Sequence, residues 1–236
     1  MEKPPQKTTA REVVEATVEG AAGMIPVVGS PLAVAFAVAM GWTHNKRMTQ
    51  WLEDLAEAVT ELQEQGSGLT FDQLADDPIF TDAVINATRA AQATHQQEKL
   101  DALRNGVLNS LGPGAPPVDE QSRFFRLVDE FGVAHLTMLT FLHDPRGWFD
   151  DRKLQQETYM MGGRSHLLEN AIPEFRDNRS WYDLLAHDLE SAALTQSNLH
   201  VTMSGSGMWA PSTTPLGDRF LAFITDPRQP SRAATP

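Results

Sequence analysis

Apolar residues in the first third of the chain recur at alternating steps of four and three. Val34, Val38, Gly41, Asn45, Met48, Leu52, Leu55, Val59 and Leu62 form the longest such series. That spacing puts them on one stripe of an α-helix and predicts a long helix from Pro31 to about Gln65, packed against other helices. Ser30 and Pro31 supply an N-cap and first-turn pair for its start. Upstream, Thr9 and Glu12 stand at capping-box spacing for a shorter helix carrying Val13, Val14 and Val18. Between the two lies "IPVVGSP", where Pro26, Gly29 and Pro31 predict a corner.

The pattern continues in helical period. Thr70 and Gln73 form a second capping box, for the short turn "TFDQLA". Asp77 and Pro78 start a helix with Phe80, Val84, Ala87 and Ala91 on its stripe, and "HQQEKLDALRNGVLNSLG" continues it through Leu100, Leu103, Val107 and Leu111. "GPGAPPVD" reads as a linker. Beyond it, "DEQSRFFRLVDEFG" and "VAHLTMLTFLHD" are two helices split at Gly132, the second apolar nearly all round and therefore central. "DPRGW" ends it, and a polar helix is expected from about Asp150 to Met160, stopping at Gly162 and Gly163.

The rhythm then changes. "RSHLLENAIPEF" is a short helix, and Ser180 with Asp183 makes a capping box for a helix from Trp181 to Leu194. "LHVTM", "SGSG" and "MWAPS" predict a β-hairpin. Thr214 and Pro215 open a last helix whose stripe is Leu216, Phe220, Phe223 and Ile224. Helix, helix, hairpin, helix is the order of a winged helix. The predicted fold is therefore mainly α: a helical bundle over residues 8–161 with an N-terminal helical hairpin and a long second helix, then a small winged-helix-like α+β domain over 164–226. Residues 1–7 and 227–236 are expected to be flexible tails.

Gly20 to Trp42 contains no charged side chain, which meets the crude length test for a membrane span. Pro26, Gly29, Ser30 and Pro31 fall in its middle, where hydrocarbon offers nothing to broken backbone bonds. A buried corner of a water-soluble bundle is the favoured reading. The alternative is a hairpin that enters a bilayer conditionally, with Ile25, Val27, Val28, Leu32 and Phe36 on its apolar faces.

Composition narrows the chemistry. The net charge of −12 argues against a broad nucleic-acid surface. The absence of cysteine removes disulfides, thiolate metal sites and a thiol nucleophile, and fits a cytoplasmic setting. No secretory pattern opens the chain, because Glu12, Glu15 and Glu19 interrupt it before any apolar run. His143-Asp144 and His187-Asp188 are the dipeptides that metal-dependent phosphohydrolases use, and His135 lies two turns before His143, but the remaining ligands have no convincing spacing. "MGGRSH" could open a helix as a phosphate loop, yet it lacks the full glycine signature and is better read as a hinge. No nucleophile elbow occurs. No catalytic residue, metal ligand or cofactor is assigned.

Arg176 and Arg179 are the candidate DNA contacts of the winged-helix reading, but from Arg164 onward six arginines face eight acidic residues. Trp181 and Trp209 are candidate interface anchors, since tryptophan is enriched where proteins meet. "IPVVGSP" before a long helix, "KLDALRNGVLNSL", "HLTMLTFLHDP" and "TTPLGDRFLAFI" together resemble helical bacterial proteins of the abortive-infection-alpha type, over about Glu12 to Pro227. The resemblance implies a helical body with a winged-helix-like end and a role in phage defence or stress response, and it carries over no catalytic residue. The expected function is that of a non-enzymatic interaction or regulatory protein acting by helix packing and self-association, with a protein partner or a homo-oligomer. A DNA-binding regulator and a conditional membrane effector are the alternatives.

Overall fold

The computed structural model describes residues 46–64, 74, 76–111, 114–156, 160–196 and 198–228. The described chain is mainly helical. Several expectations lie outside those residues: both capping boxes at Thr9 and Thr70, the Ser30-Pro31 start, the Pro26–Pro31 corner, and Ile25, Val27, Val28, Leu32 and Phe36. Among the described residues no helix is long and apolar enough to cross a membrane.

The seam is fulfilled where it can be followed. Helix α1 (Lys46–Leu62) buries Met48, Leu52, Leu55 and Val59 together with Trp51. It packs on α3 (Gln97–Asn109) and, less extensively, on α2 (Pro78–Gln92). The start of α2 follows its local signal: Pro78 opens the first turn and the Asp77 carboxylate accepts the Ile79 N–H at 2.8 Å. Alanines at 83, 87, 90 and 91 are buried along it, so neighbouring helices approach closely. The continuous helix expected from α2 into α3 is not formed. The chain turns at Ala93 and restarts at Gln97, with the Thr94 hydroxyl accepting the Gln96 N–H at 3.1 Å.

Helices α4 (Val118–Glu130) and α5 (Val133–His143) are split at Phe131–Gly132 as the glycine predicts. Leu136, Met138, Leu139, Phe141 and Leu142 of α5 are all buried. Asp144 then caps α6 (Pro145–Asp151), its carboxylate accepting the Gly147 N–H at 2.9 Å. The polar helix expected over Asp150–Met160 is corrected: α6 ends at Asp151, and Arg152 to Gln156 form a turn and irregular chain. That stretch has no apolar stripe to pack, and helices in proteins owe most of their stability to such packing.

The C-terminal third contains β1 (Met161–Gly162), α7 (Arg164–Ala171), a 3-10 turn at Pro173–Phe175, α8 (Arg179–Ser191), β2 (Met203–Ser204), α9 (Gly205–Met208) and α10 (Pro215–Ile224). The predicted hairpin between "LHVTM" and "MWAPS" is overturned. Met203–Ser204 pairs antiparallel with Met161–Gly162, and "GSGM" is a helical turn because the Ser204 hydroxyl accepts the Gly207 N–H. Helix α8 starts at Arg179, not Trp181, and its N-cap is Asn178. Arg228, expected in a loose tail, donates to Asp226 at 2.8 Å and also pairs with Glu61 of α1.

Buried apolar side chains form a cluster running from Met48 to Phe223, so residues from both sides of 161–164 share it. Phe124 and Phe125 of α4 meet Phe220 and Phe223 of α10 at ring separations of 5.2–5.4 Å. Gly106 of α3 makes room for them: a Cβ there would lie 2.8 Å from Phe223 and 2.9 Å from Phe125.

Candidate interaction surface

Helix α8 is fixed to the molecule by one face and both flanks. Tyr182, Leu185, Ala186 and Leu189 point into the core. The Tyr182 hydroxyl donates to Glu169 at 2.8 Å, and its pKa is pushed up to about 12, first by burial and then by that bond to a carboxylate. On one flank, Asp188 meets His135 Nε2 of α5 at 3.2 Å. His135 Nδ1 accepts the Gly132 N–H at 3.2 Å, so Nε2 is the nitrogen that donates. On the other flank, Asp183 meets His200 at 2.6 Å.

What remains is an outward crest of Ser180, Leu184, His187 and Ser191, with Trp181 beside it. Trp181 is 42% exposed and Leu184 48%, large values for side chains that gain by leaving water. Val201, 49% exposed, follows His200 on the Asp183 flank. No residue of the crest carries a formal charge when His187 is neutral. Asp183 lies on the flank toward His200, and the end charges are Arg179 in the first turn with Arg176 before it and Glu190 with Asp188 in the last. Both are opposite to what the helix dipole favours, which is acid at the N-terminus and base at the C-terminus.

Two of the residues singled out from sequence therefore lie in different settings. Trp181 is presented to solvent. Trp209 is buried in its own chain, edge-on to Phe149 at 5.0 Å with the Arg146 guanidinium 5.2 Å over its ring, and acts as a core anchor. Arg176 and Arg179 are both exposed, and Arg179 reaches Asp183 at 3.4 Å within its own helix. Leu184 and Val201 were not picked out from sequence. Leu184 is three residues from Trp181, a helical neighbour, but so placed only once the inward face of α8 is known.

The His-Asp dipeptides do not act as units. His143 pairs with Asp218 of α10 at 3.0 Å while Asp144 caps α6, and Asp188 pairs with His135 while His187 lies near Ser191. Among the described residues no group of three or more His, Asp or Glu is placed to hold a metal ion. "MGGRSH" is a packing joint. The Ser165 N–H donates to the Leu199 carbonyl at 3.0 Å, which covers the start of α7. Arg164, buried and with its pKa lowered by desolvation, donates to the carbonyls of Gly207 and Ala210 at 3.0 Å and, less closely, of Met208. A Cβ at Gly163 would stand 2.8 Å from the Leu199 carbonyl, so glycine is required by that close approach.

A cleft of about 330 Å³ lies where α1 meets the α2–α3 turn, floored by Met48, Trp51, Ala91 and Leu100. Of its polar side chains, Gln50 bonds to Asp54 at 2.9 Å and Gln97 to Asp101 at 3.1 Å, each along its own helix. The outer face of α8 is the better-defined candidate site. Comparison of the chain with protein-family models, with curated proteins and with solved structures finds no match.

Proposed function

We propose that this is a non-enzymatic interaction protein of a bacterial phage or stress response, working by helix packing and self-association through the outer face of α8. The observation that carries the reading is the exposure of Trp181 and Leu184 side by side on a helix whose other contacts are satisfied. A large aromatic and an aliphatic side chain on an uncharged crest are the usual ingredients of a hot spot. The rest of α8 is held by the core and by two His-Asp contacts, so the face is preorganised and little entropy is lost when a partner lands on it. The biological setting rests on the family resemblance alone.

The test is co-purification of the tagged full chain from its native host, with and without phage challenge, beside the Trp181→Glu and Leu184→Glu variants. Recovery of a specific protein, another copy included, that falls at least about 30-fold in the variants supports the reading, as expected for loss of a hot spot. Identical recovery from wild type and variants refutes it.

A further inference from the structure

The charge pattern of α8 is complementary to its own reverse. At about 100° per residue, Arg179 and Glu190 fall on one flank of the helix, about 20° apart, and at opposite ends. Each has the wrong sign for its end of the helix dipole. A helix laid antiparallel across the crest and carrying the same sequence cancels both defects. With a two-fold axis near Leu184, Arg179 of one copy stands within one residue, about 1.5 Å along the axis, of Glu190 on the other. The two-fold keeps flanks together, so both members of each pair lie on the same side of the helix pair. Ser180 and Ser191 at the ends of the crest are small enough for the helices to come close, and Leu184 meets its own copy between them.

Resting on α8 as an interaction face, we infer that its partner is a second copy of this chain, docked α8 on α8 in antiparallel register with Arg179 opposite Glu190. Self-complementarity of this kind is what an isologous dimer requires. The net charge of −12 on each copy opposes the approach, but beyond about 8 Å it is screened at physiological salt, while contact pairs are not. A 13-residue helix is about 20 Å long, and such a face, even widened by Val201, falls below the roughly 800 Å² per partner of a standard interface. The dimer is accordingly weak, with a Kd of about 10–100 µM.

Sedimentation equilibrium of the full chain at about 0.15 M salt tests this, over concentrations from about 5 to about 500 µM that bracket the Kd. The weight-average mass rises from 26.0 kDa toward twice that value. Leu184→Glu, an exposed position whose fold is checked by circular dichroism, weakens association by at least about 30-fold. Arg179→Glu and Glu190→Arg each weaken it by about tenfold, and the double variant recovers to within about threefold of wild type, because both copies then carry the swapped pair. A mass fixed at 26.0 kDa overturns the proposal, as does association indifferent to Leu184→Glu or a double variant no better than either single. If the wild type stays monomeric but its α8 face captures a different protein in the co-purification, the interaction reading stands and the second copy falls. If neither occurs, both fall.

Discussion

Asn109 offers a quantitative test of how the last helix is held. Its side-chain amide lies 2.7 Å from the Phe223 carbonyl, 2.8 Å from that of Thr225 and 3.2 Å from that of Ala222. These belong to the last turn of α10, where carbonyls have no partner within the helix. The amide has two hydrogens, so two good bonds form at a time and the third shares one of them. A neutral hydrogen bond is worth about 0.5–1.5 kcal/mol net, and water can replace the amide at the two exposed contacts, so Asn109→Ala should cost about 1–2 kcal/mol. Asn105, one turn earlier, makes a single bond to the Ile224 carbonyl at 3.0 Å and buries its own Oδ1 without a partner. Removing it loses one bond but also removes a buried unsatisfied acceptor, so Asn105→Ala should cost less than Asn109→Ala. Urea unfolding followed by tryptophan fluorescence measures both. In a chain of this size the Asn109 variant should melt about 2–8 °C lower. Hydrogen exchange should place the added opening at the end of α10. Variants within about 0.5 kcal/mol of wild type, or Asn105→Ala the costlier of the two, would refute this account of the joint.

Two further outcomes follow from α8. In a Tyr159→Phe background the remaining phenol, Tyr182, should titrate at 295 nm near 12 and not near 10, because burial and the Glu169 carboxylate both oppose its ionisation. A folded-state pKa above the unfolded one means stability is intact below pH about 10 and falls as pH rises to about 12, by about 2–3 kcal/mol, a loss that Tyr182→Phe should abolish. Native-state ionisation near pH 10 would contradict it. Ala193, the residue after the C-cap of α8, is left-handed with φ of 61°, and there the Leu194 N–H donates to the Leu189 carbonyl and the Ala193 N–H to that of Glu190. Ala193→Gly should therefore raise stability by about 0.5–1 kcal/mol in the same urea assay, and a loss would show that the side chain packs usefully there.

The helix starts marked by Asp77-Pro78 and Thr214-Pro215 are legible in sequence because a cap acts over three residues and needs no distant partner, whereas Asp144-Pro145, the same signal directly after a helix, reads as a break alone. The hairpin is not, because the partner of Met203–Ser204 lies far upstream at Met161–Gly162, and no local pattern encodes that pairing. "SGSG" satisfies the turn signal of a hairpin and the cap of a helical turn equally well. That ambiguity also placed Trp209 on a strand, when in the structure it follows α9 and is buried against Phe149. The end of α8 was hidden for another reason: "SAAL" holds no glycine, and the left-handed residue is an alanine. At the candidate site Trp181 stands out by type alone. Leu184 and Leu185 are neighbours of identical chemistry, and only the inward set of Tyr182, Leu185 and Leu189 shows which of the two is left outside.

The end charges of α8 run against the helix dipole. Helix α10 opens with Asp218, α2 closes with Arg89 and α5 with His143, in keeping with the helix dipole, while α4 opens favourably with Asp119 and Glu120 but closes on Asp129 and Glu130. α8 has a base in its first turn and an acid in its last, as do α1, α6 and α7, but in those three the chain itself takes up one of the charges: Glu61 meets Arg228, Arg146 lies over Trp209, and Arg164 donates to the Gly207 and Ala210 carbonyls. Its internal pair, Arg179 with Asp183, also runs in the weaker order, base before acid. In α8 both end charges lie on the surface, Arg179 with only Asp183 of its own helix in reach among the described residues, beside the exposed Trp181. Local rules are broken where something outside the element compensates, and an antiparallel copy of α8 supplies both missing charges in one contact.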